Sequence, residues 1–189
     1  MQMGGVMFSF IQNIDNLILD RINTIFHSSF LDEIMPVITR LGNNGFIWIA
    51  IAVIFILTKK YRTTGIIMLC ALGVSALIGN LILKPLIARE RPCFLNTDYK
   101  LLIPRPQDFS FPSGHTMSSF TASTVLFIRH RKFGIAALVL AATIAFSRLY
   151  LYVHYPSDIL AGLLMGAAIA ILCSYGYQYK IEDKKIIKS

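Results

Sequence analysis

Long apolar stretches, separated by short turns rich in Lys and Arg, occupy most of this sequence. An α-helix needs about 20 mostly apolar residues to cross the hydrocarbon core of a membrane. The composition agrees, because 55% of the 189 residues are hydrophobic and only 15% are charged, whereas an ordinary soluble domain has about 25% charged residues. The pattern therefore predicts an all-α integral membrane protein and excludes the soluble, disordered and coiled-coil classes.

About five to six transmembrane helices are predicted, and the chain length suits one membrane-embedded domain, residues 1–189. Five spans are expected at about 35–58, 64–83, 114–129, 133–153 and 157–176, the first with a break at 42–45. Residues 6–28 have one mainly apolar and one polar helical face, so this segment either lies in the membrane interface or forms a first helix. Residues 88–113 are mostly polar and contain four prolines, which predicts a loop.

The distribution of Lys and Arg predicts the orientation. Ten of the 18 Lys and Arg residues fall in the 59–62 and 129–132 turns and in the C-terminal tail. These segments share one side of a five-span arrangement, so that side is predicted to be cytoplasmic. Six others surround the long loop and the end of the fourth span, on the opposite side: Lys84, Arg89, Arg91, Lys100, Arg105 and Arg148. We interpret these six as a functional cluster at the extracytoplasmic interface.

The first motif pairs two cations, Lys84 and Arg91. They are seven residues apart, which returns to nearly the same face of an α-helix about 10 Å along its axis. Two long cationic side chains at that distance can hold one anion. Pro85 and Pro92 follow them and bend the helix, so the shared face is approximate. Taken alone, the pair is equally consistent with cations that snorkel to the membrane boundary.

The second motif, Pro112-Ser113-Gly114-His115, stands at the entrance to the third span. Ser113 is a good N-cap residue, and Gly114 lets a ligand approach the backbone closely. The unpaired N–H groups and the dipole at a helix N-terminus bind phosphate. Alone, the tetrapeptide is also consistent with a simple helix cap followed by an interfacial histidine.

The third motif contains Ser147-Arg148, His154 and Asp158, at the far end of the fourth span. Arg148 enters the membrane edge, where an unpaired cation is costly, and a guanidinium matches phosphate oxygens well. His154 and Asp158 are four residues apart, so the carboxylate can accept a hydrogen bond from one imidazole nitrogen and leave the other free to react. An ordinary structural ion pair is the alternative. Arg148 and His154 do not share a helix face, so either the helix ends between them or they approach a ligand from different sides.

Together the three motifs place three cations, a helix N-terminus and two histidines on one side of the membrane, which suits phosphoryl transfer. The sequence contains no HExxH, no zinc-type Cys/His spacing and no aspartate-rich pair, so neither a metal nor another cofactor is expected. A non-catalytic binder or transporter of lipid phosphates also uses such cations. It has no need of two histidines and Asp158, whose joint presence favours catalysis.

These three motifs, Lys84-x6-Arg91-Pro92, Pro112-Ser113-Gly114-His115 and Ser147-Arg148-x5-His154-x3-Asp158, resemble the signature of the type 2 phosphatidic acid phosphatase superfamily. That superfamily includes bacterial lipid phosphatases, glucose-6-phosphatase and vanadium haloperoxidases. The resemblance implies metal-independent hydrolysis through a phosphohistidine. It implies that His154 is the nucleophile, Asp158 its orienting partner and His115 the general acid. The phosphate-binding residues that it implies are Lys84, Arg91, Ser113, Gly114 and Arg148.

The expected substrate is a lipid phosphate, since a site at the outer interface suits an amphiphile whose phosphate stays at headgroup level. The short chain and residues 41–45 resemble bacterial polyprenyl-diphosphate phosphatases, so we expect conversion of undecaprenyl diphosphate to undecaprenyl phosphate, in cell-wall biogenesis. Phosphatidylglycerol phosphate and phosphatidic acid are alternative substrates, and the small membrane scaffold disfavours a haloperoxidase. Arg89, Lys100 and Arg105 either meet a second phosphate or are solvated loop charges.

The expected location is the bacterial plasma membrane, with several membrane passes and an extracytoplasmic active site. The membrane and its lipid phosphate are the expected partners, and no nucleic-acid partner is expected. The sequence leaves the oligomeric state open.

Overall fold

The computed structural model describes the backbone of residues 2–186 and the side chains of residues 9–179. The elements are α1 (Gln2–Phe26), α2 (Ser29–Leu41), a 3-10 turn (Asn43–Gly45), α3 (Phe46–Leu57), α4 (Arg62–Ala76), a π-helical segment (Leu77–Leu83), α5 (Lys84–Ile87), α6 (Pro92–Leu95), α7 (Gly114–Arg129), α8 (Arg131–Tyr150) and α9 (Pro156–Ile186). All regular elements within residues 2–186 are helical, which confirms the predicted all-α class. The predicted loop, residues 88–113, is irregular apart from α6. The tail lysines of the orientation argument, at 180–188, lie outside the described side chains.

Three helical stretches are long and apolar enough to cross a membrane: Arg62–Leu95, Arg131–Tyr150 and Pro156–Tyr179. A fourth candidate span consists of Ser29–Leu41 and Asn43–Leu57, which meet at a bend of 44°. The bend falls at the predicted break, because Asn44 and Gly45 both have left-handed backbone conformations, with φ of 51° and 67°. The described residues thus contain up to four candidate spans. The remaining predicted span, the third at 114–129, corresponds to α7, whose 16 residues give a length of about 24 Å.

The centre of the bundle is α7, which packs along α8 and α9 and against α4. Gly162 and Gly166 on α9 allow its backbone to approach α7 closely. A Cβ on Gly166 would lie 2.5 Å from the carbonyl oxygen of Met117, and one on Gly162 would lie 2.9 Å from that of Ser113. Such contact requires glycine and is typical of membrane helix pairs. It holds the start of α7 against the start of α9, and so brings the second and third motifs together.

The first helix, α1, lies across the loop end of the bundle, which we define as the end where residues 88–113 connect α5 to α7. It contacts α8 and α9. Asp15 and Leu19 are buried there, whereas apolar side chains on its other face are exposed: Phe10, Ile11, Ile14, Leu17, Ile18 and Ile25. The helix is not among the candidate spans of the described residues. An interfacial position for α1 stays a prediction.

Candidate active site

Lys84 and Arg91 converge on the carboxylate of Asp108. Lys84 Nζ pairs with Oδ2 of Asp108, and Nη2 of Arg91 lies 2.8 Å from Oδ1. Arg91 also donates through Nε to the backbone carbonyl of Asp108, at 2.8 Å. Both cations are buried, whereas the Asp108 side chain is 53% exposed. The two cations therefore reach a single anion, here a carboxylate of the chain itself, and their binding of phosphate stays a prediction.

Lys84 and Arg91 do not lie on one continuous helix, although a shared helix face was expected to align them. The turn α5 ends at Ile87, Ala88 has a left-handed conformation with φ of 48°, and Arg91 is extended as the N-cap of α6. A residue that precedes proline avoids the helical region, which accounts for the extended backbone of Arg91 before Pro92. The prediction of a shared helix face is therefore wrong, and the irregular segment 88–91 between α5 and α6 brings the two cations together.

The N-terminus of α7 lies beside this cation pair. Ser113 caps the helix as predicted, since its Oγ accepts the backbone N–H of Thr116 at 3.4 Å. Its own backbone N–H donates to the carbonyl of Asp158 at 3.2 Å. A Cβ on Gly114 would lie 3.8 Å from Nζ of Lys84. The first N–H groups of α7, which have no partner within the helix, are thus close to the Lys84 ammonium.

His154 lies between α8 and α9 and is only 1% exposed. Its Nδ1 is 3.5 Å from Oδ2 of Asp158, and its Nε2 is 2.9 Å from Nη1 of Arg91. Oδ2 of Asp158 also accepts the Ser110 hydroxyl at 2.5 Å and the backbone N–H of Tyr155 at 2.9 Å. One nitrogen of the imidazole therefore faces a carboxylate and the other faces a cation.

Arg148 is buried in the last turn of α8. Because α8 ends at Tyr150, the helix ends between Arg148 and His154, which is one of the two arrangements that their spacing allows. Nη1 of Arg148 donates to Oγ1 of Thr39 on α2 at 2.5 Å. Its Nε has no hydrogen-bond partner among the described residues. The guanidinium thus retains a buried donor suited to an anion.

His115, in the first turn of α7, faces a cavity of about 640 Å³. Its Nε2 lies 2.9 Å from Oδ1 of Asn43 in the bend before α3, so a protonated Nε2 donates to this amide. Near the site the cavity is lined by polar groups, and further away it is lined by apolar and small residues of α3 and α4: Ile49, Leu69, Leu72, Gly73 and Ala76. A second imidazole and an apolar chamber are therefore adjacent.

Burial and nearby charges determine the protonation of two central groups. Burial is the main reason that the pKa of the His154 imidazole lies well below its usual value of 6.5. The further causes of this low pKa are the neighbouring cationic and protonatable groups Arg91, Arg148, Lys84 and His115. Burial opposes ionisation of Asp108, but its contacts with Lys84 and Arg91 outweigh burial and lower the pKa to about 2. At neutral pH, His154 is neutral and Asp108 is ionised.

Arg89, Lys100 and Arg105 stand apart from this cation group. Lys100 and Arg105 are exposed, and the Arg105 guanidinium lies 5.3 Å from the centre of the Phe94 ring. Arg89 is buried and pairs with Asp15 of α1 and with Asp158, at 2.6 and 2.7 Å. The interpretation of Arg89 as a solvated loop charge is therefore wrong, because nothing in the sequence places α1 against the loop. Contact of Arg89 with a second phosphate stays a prediction, which these carboxylate partners do not favour.

Sequence reasoning missed four polar side chains that contact motif residues: Thr39, Asn43, Asp108 and Ser110. Asp108 and Ser110 directly precede the second motif, and that proximity is the one available signal. Thr39 and Asn43 come from a distant helix and its bend, which have no fixed spacing from the motifs. Among the described residues, no group of three or more His, Cys, Asp or Glu side chains is arranged to hold a metal ion.

The arrangement supplies the groups that phosphoryl transfer requires. Three buried cations and a helix N-terminus can stabilise charge on phosphate oxygens. A neutral imidazole backed by a carboxylate can act as a nucleophile, and a second imidazole can donate a proton.

Comparison with known proteins agrees with this geometry. A family model of the PAP2 superfamily matches residues 64–182. An undecaprenyl-diphosphatase of Sulfolobus acidocaldarius is 31% identical over 75% of this chain and 68% of its own length. Phosphatidylglycerophosphatase B of Bacillus subtilis is 34% identical over 81% of this chain and 78% of its own. The crystal structure of a transmembrane PAP2-type phosphatidylglycerolphosphate phosphatase from Bacillus subtilis has a TM-score of 0.73 and 31% identity, with 90% of this chain and 87% of that chain covered. All three motifs lie inside the matched residues.

Proposed function

Because this chain belongs to the PAP2 superfamily and is a lipid phosphatase, we propose that it removes the terminal phosphate of a polyprenyl diphosphate through a phosphohistidine. The preferred substrate is undecaprenyl diphosphate and the lipid product is undecaprenyl phosphate. One observation carries the proposal: buried cations and His115 converge on a neutral imidazole, His154, that is backed by Asp158.

In the first step, Nε2 of His154 attacks the terminal phosphorus, so that a P–N bond forms while the bridging P–O bond breaks. Asp158 accepts the hydrogen bond from Nδ1 and stabilises the imidazolium that develops. His115 gives its proton to the leaving oxygen, and undecaprenyl phosphate departs. The groups that bind the transferred phosphoryl oxygens are Lys84, Arg91, Arg148, the Ser113 hydroxyl and the backbone at Gly114.

In the second step, a water molecule attacks the phosphorus of the phosphohistidine. The P–N bond breaks, His154 returns to its neutral state, and the proton of the water passes to His115. Inorganic phosphate then leaves. Both histidines end the cycle in their starting protonation states, so no metal ion or external base is required.

The cavity beside His115 supports a lipid substrate, because apolar and small residues line it along α4. A relative named undecaprenyl-diphosphatase supports the polyprenyl chain. A second candidate is phosphatidylglycerol phosphate, which is favoured by the Bacillus subtilis relatives.

The test measures phosphate release by the purified protein from undecaprenyl diphosphate, phosphatidylglycerol phosphate and phosphatidic acid. We expect the highest kcat/KM for undecaprenyl diphosphate. His154→Ala loses the nucleophile and should lower kcat by at least about 10³-fold. His27→Ala, which removes an exposed histidine outside the site, should retain wild-type turnover. Full activity of His154→Ala would contradict the mechanism, and a preference for either other lipid would replace the proposed substrate.

Two further measurements test the chemistry. Turnover should persist in excess EDTA, and a loss that magnesium restores would contradict a metal-independent site. Rapid acid-free quenching with a substrate labelled in the terminal phosphate should trap a phosphoramidate on His154, which is stable to alkali and labile to acid. Wild-type turnover without this adduct would favour direct attack by water.

We also propose that the protein lies in the bacterial plasma membrane with this site facing away from the cytoplasm. The Lys and Arg residues of the 59–62 and 129–132 turns support this orientation, because both turns lie at the end of the bundle opposite the motifs.

A further inference from the structure

The buried guanidinium of Arg89 joins two carboxylates at the loop end of the bundle. Its Nη2 lies 2.6 Å from Oδ2 of Asp15 on α1, and its Nη1 lies 2.7 Å from Oδ1 of Asp158. The side chains are 7%, 2% and 0% exposed for Arg89, Asp15 and Asp158. Burying three charges is costly unless their geometry and hydrogen bonds compensate. The triad is therefore a specific arrangement rather than a chance surface contact.

Additional hydrogen bonds fix this arrangement. The Ser157 hydroxyl donates to Oδ2 of Asp15 at 2.5 Å and accepts from Nη1 of Arg89 at 2.7 Å. The backbone N–H of Ser157 donates to Oδ1 of Asp15 at 2.9 Å, and Gln12 accepts from Nη2 of Arg89 at 2.7 Å. The guanidinium also lies 4.0 Å from the centre of the Tyr155 ring. Both terminal nitrogens of Arg89 are thus occupied by protein groups, and neither is directed to a phosphate.

The two oxygens of Asp158 consequently have different partners. Oδ2 faces Nδ1 of His154 and accepts the Ser110 hydroxyl, whereas Oδ1 accepts the Arg89 guanidinium. A carboxylate held at both oxygens cannot rotate away from the imidazole. Asp15 balances the charge of Arg89, so that the negative charge of Asp158 remains available to the imidazole.

We propose that Asp15 and Arg89 are positioning residues for the phosphatase reaction, which act through Asp158 to hold His154 in its attacking orientation. This role makes α1 a component of the active site, although neither residue is one of the motif positions. The inference rests on the proposed function, in which His154 is the nucleophile.

Asp15→Asn tests this role because it keeps the shape of the side chain but removes the charge that balances Arg89. We expect kcat to fall about 10- to 100-fold, since a small misplacement of a reacting group is costly. KM should stay within about threefold, because the phosphate-binding cations and the cavity are unchanged. Asp20→Asn is the matched control. It removes the same charge from the same helix, where Asp20 accepts from the Tyr152 hydroxyl at 3.3 Å, and kcat should be unchanged.

Rates are expressed per folded molecule, from the monodisperse fraction in gel filtration, so that a purely structural role of Asp15 is separated from positioning. A wild-type kcat for Asp15→Asn on this basis would overturn the proposal, as would an increase in KM alone. Should this variant not fold, Ser157→Ala removes the hydroxyl that Asp15 and Arg89 share. A fall in kcat of about three- to tenfold at constant KM is then expected for the lost hydrogen bonds, and a wild-type kcat would overturn the proposal.

His154→Ala, measured in parallel, distinguishes failure of the positioning role from failure of the proposed reaction. An inactive His154→Ala variant together with a fully active Asp15→Asn variant would refute only the positioning role. An active His154→Ala variant would refute the proposed reaction itself.

Discussion

At the scale of single residues, the proposed chemistry depends on the protonation state of His154. The imidazole attacks only when it is neutral, and its burial among cations keeps it so. In the proposed mechanism the same cations attract the phosphate. A single group of charges would therefore both bind the substrate and keep the nucleophile neutral.

The low pKa of His154 predicts an unusual pH dependence of kcat/KM, which reports ionisations of the free enzyme. Neutral imidazole is the active form, and its pKa lies well below 6.5. Protonation of His154 should therefore not lower kcat/KM at pH 6.5, and the loss that it causes should begin only as the pH falls through the lowered pKa. Measurement of kcat/KM between about pH 4.5 and pH 8 tests this.

Substrate ionisation needs its own control, because a phosphate monoester titrates with a second pKa of about 6. A phosphorus NMR titration of the lipid in the same micelles measures that ionisation, so that it can be factored out. Asp108 is ionised throughout the range, since its pKa is about 2. An acid limb centred at or above pH 6.5 after this correction would contradict the environment described for His154.

The sequence identified the motif residues because their spacing is local and their chemistry is recognisable. The structure places several motif residues around His154: His115, Asp158, Lys84, Arg91 and Arg148. The partners of these residues were not predictable. Asp15 contacts Arg89, and Thr39 contacts Arg148, through tertiary packing alone. No spacing in the sequence indicates that packing.

At the scale of elements, α1 illustrates what amphipathicity does and does not predict. Its two faces are evident in the sequence, and an interfacial helix is the expected result. The sequence does not indicate that the polar face contacts buried residues. Those contacts, of Asp15 with Arg89 and Ser157, form only where the helix packs on the loop end of the bundle. The helix directs Asp15 inward and exposes its apolar side chains, an orientation suited to a surrounding lipid interface.

The cavity along α4 predicts a size-dependent effect of Gly73→Phe. Gly73 lines the cavity, and a Cβ there would have no neighbour within 4 Å, so a side chain at this position starts in open space. We expect kcat/KM for undecaprenyl diphosphate to fall about tenfold, as expected for an obstructed apolar pocket. A water-soluble short-chain diphosphate should be hydrolysed at the wild-type rate, because the phosphate site is unchanged.

Gly176→Phe provides the matched control for this prediction. Gly176 on α9 has equally open surroundings but does not line the cavity. Its replacement should leave both substrates unaffected. Equal losses with the long and the short substrate in Gly73→Phe would show that the cavity does not receive the lipid chain.

At the scale of the whole molecule, the cations fall into two groups. Those of the 59–62 and 129–132 turns lie at one end of the bundle, and those of the site lie at the other. The helical class was predictable because apolar runs demand helices in a membrane. The number of spans was less predictable, since α2 and α3 form one bent candidate span and α7 is short.

This division predicts the labelling pattern of cysteines in intact cells. With the three native cysteines replaced by alanine, Lys100→Cys should react with a membrane-impermeant maleimide, because residue 100 is exposed at the end of the bundle that we propose faces outward. Lys60→Cys, which is equally exposed at the opposite end, should react only after lysis. Retained phosphatase activity checks that both variants fold, and the reverse labelling pattern would place the site in the cytoplasm.

The carboxylate of Asp108, which bridges Lys84 and Arg91, gives the site an internal counter-ion. In the proposed reaction, an arriving phosphate consequently exchanges with a resident anion rather than entering an uncompensated positive pocket. The net affinity for phosphate is then the difference between two similar attractions, so we expect free phosphate to be released readily after turnover. Selectivity among phosphate compounds then depends on the part of the substrate that has no counterpart in the carboxylate, which is the lipid chain.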